Sequence, residues 1–161
     1  MMADRTAYVD GLHLLGRREL SVRQLRDRLR EREHSDEDVD RAIALLLENR
    51  ALDDRRVAAA FVRTAISVKG RGRLRVQREL QAMGIDKDVA AEALAEAFGQ
   101  QDERAMIAKA LQKKLRGRPK IASPAEYARV YQYLMRQGFS PAAVTAALRG
   151  HRRGGGGGDD Y

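Results

Sequence analysis

Cysteine is absent from this 161-residue chain, and so is tryptophan. Without thiols there is no disulfide framework and no thiolate chemistry, and a reducing cytoplasm is the compartment that fits. Aromatic residues make up only 5% of the chain, so the platforms on which single-stranded bases stack are not evident. No apolar run approaches the roughly 20 residues that cross a bilayer. The opening Met1-Met2-Ala3-Asp4-Arg5 lacks the apolar stretch of a secretory signal. No segment alternates apolar and polar residues in the manner of a strand, which excludes a sheet. The three histidines, His13, His34 and His151, are too scattered for a metal site. His13, between Leu12 and Leu14, reads as a partly buried helix residue.

What the chain does have is alanine, leucine and a repeated phrase. Apolar residues reach 43%, much of it in helix-favouring types. Leu25-x3-Leu29 is followed by Glu33-His34-Ser35 and Val39; Val76-x3-Leu80 by Gly84-Ile85-Asp86 and Val89; Tyr131-x2-Leu134 by Gly138-Phe139-Ser140 and Val144. Each time an amphipathic helix ends, the chain turns, and a capping residue opens another helix. The predicted architecture is all-α: three tandem three-helix repeats in an elongated, curved, solenoid-like molecule. Helices are expected near 6–16, 21–32 and 36–49; 54–68, 73–83 and 87–98; and 102–116, 124–137 and 141–149. The repeats are expected to span 1–52, 53–101 and 102–153, with the Gly-rich tail 154–161 disordered. Ser21 and Gln24 form a capping box, and Ser35 or Asp36, Asp53, Ser123 and Ser140 are further expected caps. Pro124 and Pro141 sit at first helical positions, and Glu126 is placed to reach back to its cap.

The net charge is +8, with an isoelectric point near 10.2. Residues 1–50 hold 10 basic and 11 acidic groups, residues 51–100 hold 9 and 7, and residues 101–161 hold 12 and 5. The balance therefore runs −1, +2, +7, and the later two-thirds suit a polyanionic partner. On the middle helix of each of the first two repeats, arginines face away from the apolar stripe: Arg23, Arg26 and Arg30, then Arg71 (just before the helix), Arg75 and Arg78. Lys109, Lys113 and Arg116 do the same opposite Ile107, Leu111 and Leu115. The turn after the first helix of each repeat is basic as well: Gly16-Arg17-Arg18, Lys69-Gly70-Arg71-Gly72-Arg73 and Arg116-Gly117-Arg118-Pro119-Lys120. Any one stripe is most simply a solvated face. Three of one sign favour a continuous binding track in which arginine's planar fork grips phosphate or carboxylate.

Sites for chemistry are not apparent. Gly70-Arg71-Gly72 invites a phosphate-loop reading, yet no Gly-Lys-Ser/Thr follows and no strand precedes it, so a flexible basic turn is the simpler assignment. Asp53-Asp54 reads as a helix cap at the positive end of a dipole rather than a catalytic pair. The serines and threonines show no nucleophile elbow. A helix-turn-helix reader is disfavoured because the second helix of its best pair, Lys87 to Glu96, is acidic and small. No catalytic residue, cofactor or metal is expected.

Several strings resemble one known family. Leu14-Leu15-x-Arg17-Arg18-Glu19-x-Ser21-x3-Leu25-x3-Leu29 is similar to the opening motif of the RecX family of recombinase regulators. So is Leu52-Asp53-Asp54-x-Arg56-x-Ala58-x2-Phe61-Val62-Arg63, followed by Gly70-x-Gly72-x2-Arg75-x3-Glu79-Leu80-x3-Gly84-Ile85 and Leu134-x2-Gln137-Gly138-Phe139-Ser140. The resemblance covers residues 12 to 148. It departs at Glu33-His34, where the family has a glycine–aromatic pair, and at Ala51, where an aromatic often stands. It implies a cytoplasmic, monomeric, non-enzymatic protein that lodges in the groove of the RecA filament and also binds single- and double-stranded DNA. It further implies inhibition of RecA's ATPase, strand-exchange and co-protease activities, and so modulation of recombination, DNA repair and the SOS response. The contact candidates are Arg17, Arg18, Lys69, Arg71, Arg73, Arg75, Arg78, Lys109, Lys113, Arg116, Arg118 and Lys120. The competing reading is a stand-alone, sequence-nonspecific DNA-binding protein.

Overall fold

The computed structural model describes residues 5–151, and these residues form nine helices and no strand. They are α1 (Ala7–Arg17), α2 (Val22–Glu31), α3 (Asp36–Glu48), α4 (Asp54–Ser67), α5 (Arg73–Ala82), α6 (Lys87–Phe98), α7 (Glu103–Lys114), α8 (Pro124–Gln137) and α9 (Pro141–Arg149). The Gly-rich tail expected to be disordered lies outside the described residues.

Caps set most boundaries. The Ser21–Gln24 capping box is present in both directions, and Ser35 Oγ accepts from the Asp38 N–H at 3.2 Å. Asp53 accepts from the Arg55 N–H at 3.0 Å. Both prolines stand at the first turn of their helices. Two expected caps work differently. Ser140 makes no side-chain cap bond; its N–H donates to Glu103 Oε1 at 2.7 Å. Glu126 reaches the Ala122 N–H at 3.3 Å rather than its cap, while Arg118 donates to its carboxylate. The seventh helix stops at Lys114, earlier than expected, because Arg116 (φ 52°) and Gly117 (φ 79°) turn left-handed. His13 is exposed, not partly buried, since it lies a quarter-turn off the stripe of buried Gly11 and Leu14.

The described chain divides into two compact units: residues up to 63 with 77–95, and residues 64–76 with those from 96 on. In the first, Leu14, Leu25, Leu29, Val39, Ile43, Leu46 and Leu52 fill a core among α1, α2 and α3. In the second, Ile107, Leu111, Leu115, Val130, Leu134, Phe139 and Leu148 fill one among α7, α8 and α9. Burying one such leucine contributes about 1.5–3 kcal/mol.

Each unit also holds one joint, where the start of a middle helix docks onto the end of the next middle helix in sequence. In the first unit, Ser21 Oγ donates to the Met83 carbonyl at 2.5 Å and the Arg23 guanidinium donates to the Ala82 carbonyl. Arg23 lies across Gly84, which has φ 78°. In the second, the Gly72 N–H donates to the Gln137 carbonyl at 2.7 Å and the Leu74 N–H to the Gly138 carbonyl at 3.1 Å. There Arg75 lies across Gly138, which has φ 98°. A left-handed turn favours glycine, and the overlying arginine leaves no room for a side chain. At the corresponding position of repeat one, Glu33 takes φ 66° and is exposed, so a side chain is tolerated there.

Candidate binding surface

The stripe arginines of repeat one are committed within the protein. Arg26 pairs with Asp40, Arg30 with Asp36 at 3.1 Å, and Arg23 serves the first joint. Both acids come from α3, and Asp36, in its first turn, also complements the helix dipole. Exposed pairs of this kind contribute about 1 kcal/mol or less, but they neutralise the face. Arg32 approaches the buried Asp10 at 3.3 Å, and His34 Nε2 sits 2.6 Å from the same carboxylate. The His34 hydrogen bond, with Arg32 nearby, holds the Asp10 carboxyl below its ordinary range against the opposing effect of burial. Asp10–His34 thus stands where Ile107 and Phe139 are buried in repeat three.

The basic turns divide into structural and exposed groups. Arg17 and Arg18 close α1 in the open. In the second turn Gly70 is left-handed at φ 60°, and Gly72 is buried, where an added Cβ would meet the Gly138 backbone at 2.5–2.6 Å. The sequence reading of this stretch as a flexible turn is therefore corrected: it is pinned at Gly72. Lys69 and Arg73 are exposed, and Arg71 and Arg75 are half-buried. Arg75 belongs to the second joint and donates to the Arg136 carbonyl at 3.4 Å. Arg78 is exposed on α5. In the third turn Arg118 is held by the Leu115 carbonyl at 3.2 Å and by Glu126; the hydrogen bond between the two side chains raises the Arg118 pKa and lowers that of Glu126.

Lys109, Lys113, Arg116 and Lys120 are exposed and make no ion pair among the described residues. Lys114, which sequence reasoning passed over, stands 4.7 Å above the Tyr133 ring, a cation–π contact worth about 0.5–1 kcal/mol at an exposed site. Lysine preceding a helix end and tyrosine on the neighbouring helix leave no periodic signal, so this pair was not legible.

The carboxylates do structural work. Asp54 is half-buried and accepts from the Val22 N–H at 2.8 Å; burial pushes its carboxyl up, more than that bond pulls it down. Among the described residues no three His, Cys, Asp or Glu side chains come together as a metal site. No helix there is long and apolar enough to cross a membrane.

A cavity of about 310 Å³ opens beside the second joint, lined by Gly72, Arg73, Leu74, Phe98, Gln101, Glu103, Met106 and the 138–140 turn. Sequence reasoning missed it. The available signal was Gln101, standing where repeat one places the buried Leu52.

Three family models match the chain. They are described as the first, second and third three-helix domains of RecX and cover residues 7–46, 53–94 and 101–148. The regulatory protein RecX of Halorhodospira halophila is 35% identical over 136 residues, covering 84% of this chain and 82% of that protein. That of Vibrio parahaemolyticus is 31% identical over 137 residues, covering 85% and 86%. For Bacillus licheniformis the figures are 30% over 145 residues, with 90% of this chain but 55% of the relative; the chain spans about half the length of the Bacillus and Geobacillus relatives it matches. Among solved structures, RecX from Lactobacillus salivarius gives a TM-score of 0.67 at 18% identity, covering 89% of this chain and 92% of that one. A second, described as regulatory protein RecX, gives 0.76 at 23%, covering 89% and 71%. At such identities the likeness is one of fold. With three consecutive three-helix domains matched in family order, this chain belongs to the RecX family.

Proposed function

We propose that the chain is a non-enzymatic regulator that binds the RecA nucleoprotein filament through an extended basic face. It slows RecA's ATP turnover, strand exchange and co-protease activity, and so tempers recombination, repair and the SOS response in the cytoplasm. The curated relatives are named regulatory proteins. The observation that carries the reading is the contrast in charge use: repeat one's stripe is engaged internally, Arg26 and Arg30 by acids and Arg23 by a carbonyl, whereas Lys109, Lys113, Arg116 and Lys120 stay exposed without ion pairs among the described residues. Arg17, Arg18, Lys69, Arg71, Arg73, Arg75, Arg78 and Arg118 complete the proposed contact set, with Arg75 and Arg118 chiefly holding their neighbours in place. Lysines present point charges to phosphate and carboxylate alike, so filament protein and DNA can share the face.

The test is a titration of the chain into RecA filaments on single-stranded DNA, read as ATP turnover. Slowing well below one chain per RecA is expected. Slowing that begins only when the chain is abundant enough to coat free DNA would support the stand-alone DNA-binding reading instead. Reversing Lys109, Lys113, Arg116 and Lys120 to Glu is expected to leave helicity intact and weaken binding. It should also flatten the salt dependence by about one unit of slope per lost phosphate contact; an unchanged slope would mark the stripe as a solvated face.

A further inference from the structure

The two units close the space beside their joints differently. In the first, Leu52 is 1% exposed in the core, and two residues on, the Asp54 carboxylate takes the N–H of Val22 at the start of α2. Forty-nine positions later the same places are held by Gln101 and Glu103. Gln101 is exposed. Glu103 does not turn towards the start of α5, because its carboxylate is engaged by the Ser140 N–H at 2.7 Å. The result is the 310 Å³ cavity, with Leu74, Phe98, Met106 and Phe139 among its walls and the exposed Arg73 at its mouth. Leu74 is 44% exposed, an apolar wall facing water. Lys69 and Arg71 precede it in the chain, so the approach is basic.

We infer that this cavity is a docking pocket for a protein partner, taking one leucine or phenylalanine side chain flanked by carboxylates. Such a segment supplies from outside what Leu52 and Asp54 supply within the first unit. Its apolar side chain covers Leu74, Met106 and Phe139, and an adjacent carboxylate meets the fork of Arg73. A site of this size accepts a single anchor rather than a small-molecule cofactor. The inference rests on the reading of the chain as a regulator of a protein assembly, and adds where that protein is gripped.

The probe is a labelled synthetic peptide with one leucine between two pairs of aspartates, titrated with the full chain and followed by fluorescence anisotropy. Saturable binding is expected, weakened about tenfold or more when the peptide's leucine becomes serine. Gln101→Leu, which fills the cavity from within, and Arg73→Glu should each weaken it by a similar factor. Leu74→Ser, at an exposed site that does not threaten the fold, should do so independently, while Arg28→Glu, exposed on α2 and outside the cavity, should change it by less than about twofold. Equal binding of the leucine and serine peptides would overturn the pocket, leaving charge alone. So would a Leu74→Ser chain that binds as well as the native one. Co-sedimentation of the native chain with RecA filaments separates the two claims. A chain that pellets with filaments and ignores the peptide loses the pocket and keeps the regulator reading; one that binds the peptide and never pellets does the reverse.

Discussion

The first joint is fastened by side chains and the second by backbone. At the first, Ser21 and Arg23 reach across with hydroxyl and guanidinium, and the Asp54 carboxylate of α4 holds the start of α2 beside them. At the second, Gly72 and Leu74 donate main-chain N–H groups straight to the Gln137 and Gly138 carbonyls. Side-chain fastening tolerates small adjustments, because a rotamer can shift by a few tenths of an ångström. Backbone fastening demands two glycines in register and leaves no slack. The same fold element is thus adjustable in one unit and rigid in the other, and the rigid version has the open cavity beside it.

The largest test of that contrast is to add one methyl group. In Gly138→Ala the new Cβ would collide with the Arg75 backbone nitrogen and Cβ, at φ 98°. Overpacking against a main chain together with left-handed strain should cost about 3 kcal/mol or more. In Gly84→Ala the collision is with the Arg23 side chain at 2.7–2.8 Å, at φ 78°. Its Cδ and Nε can swing aside but its Cβ moves only with the helix, so about 2 kcal/mol is expected, less than where the main-chain nitrogen itself is struck. Urea unfolding of both variants decides the matter. Equal losses would show that the backbone angle, not the overlying arginine, dictates glycine.

How far the sequence displayed this arrangement depends on the range of the interaction. Ser21, Asp53, Ser123 and the prolines act within four residues, and they placed helix starts to within a residue. The end of α7 was misplaced because Lys113-Lys114-Leu115-Arg116 are all good helix formers, and only the left-handed Arg116 breaks them. Gly72 was legible as a chain breaker but not as one half of a joint, since its partner is 65 positions away at Gln137. The basic residues were all visible, yet a sequence does not say that Arg118 answers Glu126 or that Arg75 covers Gly138. Glu33-His34 looked like a weakened copy of the phrase. It is a substituted one, with the buried Asp10 and the half-buried His34 serving as each other's polar partner.

Asp54 sharpens the contrast at intermediate size. Asp54→Ala leaves the Val22 N–H without its acceptor and should cost about 1–2 kcal/mol. Asp54→Asn keeps an oxygen acceptor and removes a charge whose burial is unfavourable, so at neutral pH it should be close to neutral. Because the Asp54 carboxyl is raised in the fold, its ionisation opposes folding as pH rises through its range. Asp10 runs the other way. Its carboxyl is lowered in the fold, so it stabilises above the ordinary carboxylate range of about 4 and loses that contribution as pH falls towards its folded value. Thermal unfolding of Asp10→Asn from pH 2 to 6 should show a deficit that shrinks on acidification. A deficit independent of pH would mean that the carboxylate acts only by shape.

The smallest effects belong to the two arginines that cover the joints, and they separate stability from binding. Arg23→Met removes the donor to the Ala82 carbonyl, a charge-assisted bond at an exposed site, and should cost about 0.5–1 kcal/mol. Arg75→Met removes a guanidinium whose polar contacts include a longer bond of 3.4 Å to the Arg136 carbonyl, while the main-chain bonds at Gly72 and Leu74 remain. Its unfolding free energy should fall by only a few tenths, about 0.3 kcal/mol, since methionine keeps the apolar stem over Gly138. If the backbone alone fastens the second joint, Arg75→Met therefore folds like the native chain, and any loss of filament or DNA binding reports the guanidinium itself. A stability loss for Arg75→Met as large as that for Arg23→Met would instead make both joints side-chain fastened, and the difference between them would reduce to the cavity.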